Sequence, residues 1–148
     1  MKRFSFRLEG MLSYKQWLED DAKRSLGVAM QELHMRNMKK NNMQEEHTGL
    51  IRQRETLTHL GPMEHMYYIR YGSKLLNDIK KQQTKIEEQE IVVAGKTKAL
   101  NKAMIERKKM EKLRERAFQR YAKLRKRKDT GILDEVSTNF HGREKALS

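Results

Sequence analysis

Pro62 is the only proline in a chain of 148 residues, and it separates two long stretches that a helix can run through without interruption. Inside a helix, proline removes a backbone hydrogen bond and collides with the preceding turn; in the first turn it does neither. Gly61 stands just before it, and glycine readily takes the left-handed conformation that ends helices. His59-Leu60-Gly61-Pro62 therefore reads as a turn between a first helix over about residues 4–58 and a second over about 63–128. Asp129-Thr130-Gly131 marks a second break, after which residues 129–148 are expected as a mobile tail able to form a short helix.

Ala, Glu, Lys, Leu and Arg supply 71 of the 148 residues. That bias accompanies long helices and coiled coils when a heptad period is present, and disorder when it is not. Leu, Ile, Val and Phe number only 30, so the period decides. In the first segment an apolar seam runs through Leu8, Met11 or Leu12, Leu18, Ala22, Leu26, Ala29 and Leu33. It continues, with a polar middle, through Arg36, Lys40, Met43, His47, Leu50, Arg54 and Leu57, and Met35 and Met38 lie where the seam drifts. In the second segment, steps of four and three join Ile69, Gly72, Leu76, Ile79, Gln83, Ile86, Glu90, Val93, Thr97, Leu100 and Met104. The seam then slips by one residue to Ala103, Met110, Leu113, Ala117 and Leu124. Two helices joined by about four residues run antiparallel. The expected fold is all-α: one two-helix antiparallel coiled-coil hairpin whose longer second helix projects past the first.

The formal net charge is +13, and twelve Lys or Arg against two Glu between Arg107 and Lys128 supply most of it. Such a surface attracts nucleic acid, anionic lipid or an acidic protein. There is no cysteine, which excludes disulfide and thiolate chemistry. No run of about 18 apolar residues exists to span a membrane, and the basic start lacks the apolar stretch of a secretory signal. The glycines are scattered rather than gathered into a phosphate loop, and no two histidines stand four apart on a helix. His59, Glu64 and His65 flank the turn, where a polar loop is the plainer reading than a metal site. No catalytic, cofactor-binding or metal residue is assigned, and the chain reads as a non-enzyme.

Three features suit contacts. Tyr67, Tyr68 and Tyr71 open the second helix, and Tyr68, Tyr71, Leu75 and Gln82 form a stripe one residue from the main seam. Either this stripe widens the core near the turn or it is an aromatic patch for a partner. The basic stretch carries Leu113, Phe118, Tyr121 and Leu124 among its charges, which fits an acidic protein socket or nucleic acid. Trp17 and Tyr14 fall beside the Tyr121 region in an antiparallel hairpin, and packing there is expected.

In its ordered motifs the chain resembles the FliJ family of the flagellar type III export apparatus. The motifs are the start Lys2-Arg3-Phe4-Ser5-Phe6-Arg7-Leu8-Glu9, the run Glu19-Asp20-Asp21-Ala22-Lys23-Arg24, the pattern Tyr68, Tyr71, Leu75 and Ile79, and Leu133-Asp134-Glu135 with Phe140. Gly72 departs from the aliphatic residue usual there, and Asp78 from a small one. The resemblance implies a coiled-coil stalk similar to that of rotary ATPases. It would enter the ring of the export ATPase FliI, bind the export gate protein FlhA, and escort empty export chaperones. It implies a cytoplasmic protein, peripheral to the membrane at the flagellar base, with no cofactor, no small-molecule substrate and no specific nucleic acid. Tyr68, Tyr71, Leu75 and Gln82 are the expected gate contacts. Arg114, Arg120, Arg125, Lys126, Arg127 and Lys128, at the end that holds both termini, are the expected ring contacts. The alternatives are the equivalent stalk of a virulence-type secretion system and a basic coiled coil that binds nucleic acid.

Overall fold

The computed structural model describes residues 3–146. Helix α1 spans Glu9–Thr56 and α2 spans Pro62–Ala146, with no strand among the described residues. The two pack as an antiparallel helical hairpin, the second helix being the longer, as the sequence predicts. The connection is Leu57–Gly61. Gly61 does not end α1 in the left-handed conformation, since no glycine has a positive φ. It caps α2 instead. Its carbonyl accepts from the His65 amide at 3.0 Å, and its own N–H donates to Glu64 Oε2 at 3.3 Å. Glu64 thus closes half of a capping box, with Pro62 in the first helical position.

Two boundaries differ from expectation. Residues 3–8 lie outside the helix, with a turn closed by the Glu9 amide on the Phe6 carbonyl, and α1 starts at Glu9. At the other end α2 does not stop at Lys128 but continues through Asp129-Thr130-Gly131 to Ala146. A helical glycine costs only about 1 kcal/mol, and extending an existing helix is far easier than starting one. Local contacts also help: Arg125 Nε lies 3.9 Å from Asp129 Oδ2, and the Thr130 hydroxyl donates to the Lys126 carbonyl at 2.8 Å. Leu147 and Ser148, the last residues of the expected tail, lie outside the described residues, as do Met1 and Lys2.

The helix pair divides into the unit Asp20–Lys102 and a second unit formed by the chain on either side of it. In Asp20–Lys102, Gln82 Nε2 donates to the Arg36 carbonyl at 3.0 Å. Seven residues further along α2, Gln89 Nε2 donates to the Ala29 carbonyl, seven residues back along α1, also at 3.0 Å. Helix α1 covers one unbroken stripe, Ala22, Leu26, Ala29, Leu33, Arg36, Lys40, Met43, His47 and Leu50. The polar middle of the expected seam is therefore real. Met35 and Met38 are exposed, so the seam does not drift; Arg54 and Leu57, its expected continuation, are exposed too.

On α2 the expected seam is half right. Gly72, Ile79, Ile86, Val93 and Leu100 are covered. At three intervening positions the more buried residue lies one earlier than expected: Leu75 is 6% exposed while Leu76 is 49% exposed, Gln82 is buried while Gln83 is half-covered, and Gln89 is buried while Glu90 is exposed; Thr97 and Lys96 are both exposed, and Met104 is partly covered as expected. Ile69 is likewise exposed and Tyr68 half-covered. Polar chemistry accounts for the choice. Buried amide side chains are tolerable when hydrogen-bonded, and Gln82 and Gln89 reach α1 carbonyls. Arg36 Nη1 donates to the Lys85 carbonyl at 2.7 Å, and Lys40 Nζ to Gln83 Oε1 at 2.6 Å.

In the other unit the same spacing runs through Ala103, Arg107 and Met110, passes over exposed Arg114, and resumes at Ala117 and Tyr121, these five all partly covered. The expected slip of one residue does not occur, and Leu113 and Leu124 are exposed. Arg107 fills a seam position, donating to Glu19, which is buried, and to Glu111. These two hydrogen bonds, Glu19's first, hold the Arg107 guanidinium above its ordinary pKa. Lys15 Nζ lies 3.7 Å from Glu106 Oε2 and Arg114 Nε 3.2 Å from Glu9 Oε2.

Candidate functional site

Two surfaces carry the residues that the sequence singles out, one in each unit. The first is the start of α2. Of the four expected gate contacts, Leu75 and Gln82 are buried between the helices, and Tyr68 is half-covered. Tyr71 is half-covered and donates its hydroxyl to Glu46. That hydrogen bond, ahead of burial and the Glu46 charge, raises the Tyr71 pKa above 10.0. The four do not share one exposed face. What is exposed is Tyr67, which sequence reasoning left out of the stripe. Its ring stacks on Tyr71 with centroids 5.8 Å apart and planes 4° apart, and meets Tyr68 edge-on at 5.6 Å. Pro62, Met63, Met66, Arg70 and Lys74 complete an open apolar groove beside Tyr67 and Tyr71. Aromatic and methionine side chains rimmed by cations suit protein contact. The signal was present in the sequence as Met63, Met66, Tyr67 and Arg70 at helical spacing.

The second surface is the basic part of α2. Arg114, Arg120, Arg125, Lys126, Arg127 and Lys128 are all exposed. Arg114 pairs with Glu9, and Arg125 with Asp129 in its own helix. Phe4, in the non-helical residues before α1, packs on this stretch. Its ring meets Phe118 edge-on at 5.2 Å and Tyr121 at 5.5 Å. The aromatic residues among the cations thus anchor the start of the chain. Further along, Leu133, Val136 and Phe140 are exposed on one face of α2.

Trp17 and Tyr14 do not pack beside Tyr121. They stack on each other with centroids 6.3 Å apart, and Trp17 is 54% exposed. Phe4 takes the place beside Tyr121 that the sequence reading gave them.

Among the described residues no cluster of three or more His, Asp or Glu side chains is placed to hold a metal ion. Glu64 is engaged by the Gly61 amide. No described helix is long and apolar enough to cross a membrane.

No curated protein matches the chain at a significant level. Among solved structures it is similar to a putative YscO homolog, CT670, from Chlamydia trachomatis. The TM-score is 0.54 and the identity 22%, covering 99% of this chain and 100% of that one. At that identity the likeness speaks to the fold, two long helices in a hairpin. The family model for the flagellar FliJ protein matches residues 4–146, nearly the whole chain, and the protein accordingly belongs to the FliJ family.

Proposed function

We propose that this chain is a non-enzymatic stalk of a type III protein export apparatus. In this reading it enters the ring of the export ATPase FliI, stimulates it, links it to the export gate FlhA and escorts empty export chaperones. The observation that carries the reading is the match to the FliJ family over residues 4–146. The two surfaces supply the means. The basic stretch of α2, from Arg114 to Lys128, offers cations on a stiff helical frame that would suit an acidic socket in such a ring. The groove at Tyr67 and Tyr71 offers an aromatic docking site to the gate. The protein would act in the cytoplasm, at the membrane only through the apparatus.

The test is the rate of ATP hydrolysis by the cognate FliI with and without this protein. Stimulation that is lost in Arg125→Glu, Lys126→Glu, Arg127→Glu, with unchanged far-UV helix signal, supports the reading; no binding and no stimulation by the unaltered protein sinks it. A stalk of the virulence-type system is the second reading, favoured by the likeness to a YscO homolog. Stimulation of an injectisome ATPase but not of FliI decides for it.

A further inference from the structure

Helix α2 carries two apolar stripes that share one edge. Ile79, Ile86, Val93 and Leu100 belong to both. The stripe in use adds Tyr68, Leu75, Gln82 and Gln89; the other adds Ile69, Leu76, Gln83 and Glu90, of which Gln83 is half-covered and accepts from Lys40. The second stripe matches the first closely in hydrocarbon. It leaves Ile69 48% and Leu76 49% exposed beside the interface, while two glutamines are buried within it. A helix one of whose stripes was strongly preferred would not bury amides and expose isoleucine and leucine at adjacent positions.

The two stripes correspond to two registers against a single stripe of α1. In the present one Gly72 faces Leu50, a Cβ built on the glycine lying 3.7 Å from Leu50 Cδ2, and Gln89 bonds to Ala29. Advancing the α2 partner of each α1 residue by four brings Leu76 to Leu50. The same step takes Val93 from the layer of Ala29 to that of Leu33, and Leu100 from that of Ala22 to that of Leu26. Glu90 then arrives at Arg36, whose guanidinium now bonds to Glu32 and to the Lys85 carbonyl. Leucine meets leucine, and a carboxylate meets a cation. The five polar bonds of the present register, from Gln82, Gln89, Arg36, Lys40 and Tyr71, are given up in exchange. We propose that the Asp20–Lys102 helix pair is a two-register device, in which α1 and α2 slide past each other by half a heptad.

The slide of four residues is about 6 Å at roughly 1.5 Å per residue. The five residues Leu57–Gly61 span up to roughly 17 Å when extended, enough to absorb it without breaking either helix. Layered side chains favour discrete registers over a continuum, because intermediate positions set knobs on knobs. The groove is lined by α2 alone and moves with it, but the slide carries Tyr71 away from Glu46, so a partner that engages the Tyr71 hydroxyl in place of Glu46 biases the register. This gives a contact at the turn a way of altering the helix pair along the length of that unit.

The absence of native cysteine makes disulfide trapping a direct test on the full chain, since two Cys bridge only when their Cα atoms come within about 7 Å. Leu50→Cys with Gly72→Cys reports the present register, Leu50→Cys with Leu76→Cys the second, and Leu50→Cys with Lys74→Cys neither. Under mild oxidation the first two are expected to close and the third to lag both. Adding Gln82→Leu and Gln89→Leu, which favour only the present register, should slow closure of 50 with 76 about tenfold and leave 50 with 72 unchanged. Arg36→Cys with Glu90→Cys, against Arg36→Cys with Ile86→Cys, repeats the reading at an independent layer. Closure of 50 with 76 no faster than 50 with 74, or indifferent to the two leucines, overturns the proposal.

Discussion

Gln89 and Ala29 are joined across the helix pair by a side-chain amide donating to a backbone carbonyl at 3.0 Å, and Gln82 and Arg36 repeat the bond one heptad away. Each amide ties its layer of α2 to one α1 carbonyl, which makes its burial tolerable. Gln89→Ala removes a buried hydrogen bond and opens a small void, and is expected to cost about 1–2 kcal/mol. Urea unfolding followed by circular dichroism measures it. A loss no larger than that from a control at exposed Gln31 would contradict the packing.

Gly72 faces Leu50 with room for a methyl group, since the added Cβ meets Leu50 at ordinary van der Waals distance. The backbone there is right-handed helical. Gly72→Ala should therefore stabilise the protein by about 0.5–1 kcal/mol, mostly through the unfolded chain. An upward shift in the denaturation midpoint at constant slope is the expected reading.

Tyr71 donates to Glu46, and this bond, with the carboxylate charge, raises its pKa above 10.0. A tyrosine whose folded pKa exceeds its unfolded value stabilises the fold at pH below the unfolded value. That contribution disappears as pH rises through the folded value. Subtracting the ultraviolet titration of Tyr71→Phe from that of the unaltered protein isolates this phenol, with a midpoint expected above 10.0. In Glu46→Gln the same difference curve should move down towards 10.0. No movement would mean that the bond to Glu46 is absent in solution.

Phe4 closes over Phe118 and Tyr121 and ties the non-helical start of the chain to α2. Phe4→Ala should free that segment, giving faster cleavage by trypsin at Arg3 and Arg7 while the far-UV signal of the helices is kept. Phe4→Leu, which retains apolar area but not the ring geometry, should fall between the two.

Arg107 reaches across to buried Glu19 as well as along its own helix to Glu111. Removing it uncouples a buried carboxylate from its cross-helix cation, whereas Arg114 serves an exposed pair with Glu9. Arg107→Ala is expected to lower the thermal midpoint more than Arg114→Ala does. Equal effects would place Glu19 in solvent.

Some of this was legible in the residues alone. One proline with a glycine before it located the turn, because proline is compatible only with the first turn of a helix. Steps of three and four located the α1 stripe, polar middle included, because α1 has one stripe to offer. The exposure of the basic side chains from Arg114 to Lys128 followed from charge. The end of α2 was misjudged at Gly131 because a single glycine costs a long helix little. What only the tertiary structure decided was the choice between Leu75 and Leu76, between Gln82 and Gln83, and between Gln89 and Glu90. Two overlapping stripes on α2 score alike as sequence. They differ only in what the facing helix presents, and the amides of Gln82 and Gln89 have carbonyls to meet on α1 that a sequence cannot position. The structure also decided that Phe4 rather than Trp17 lies beside Tyr121, since helical periodicity says nothing about the non-helical residues that precede a helix.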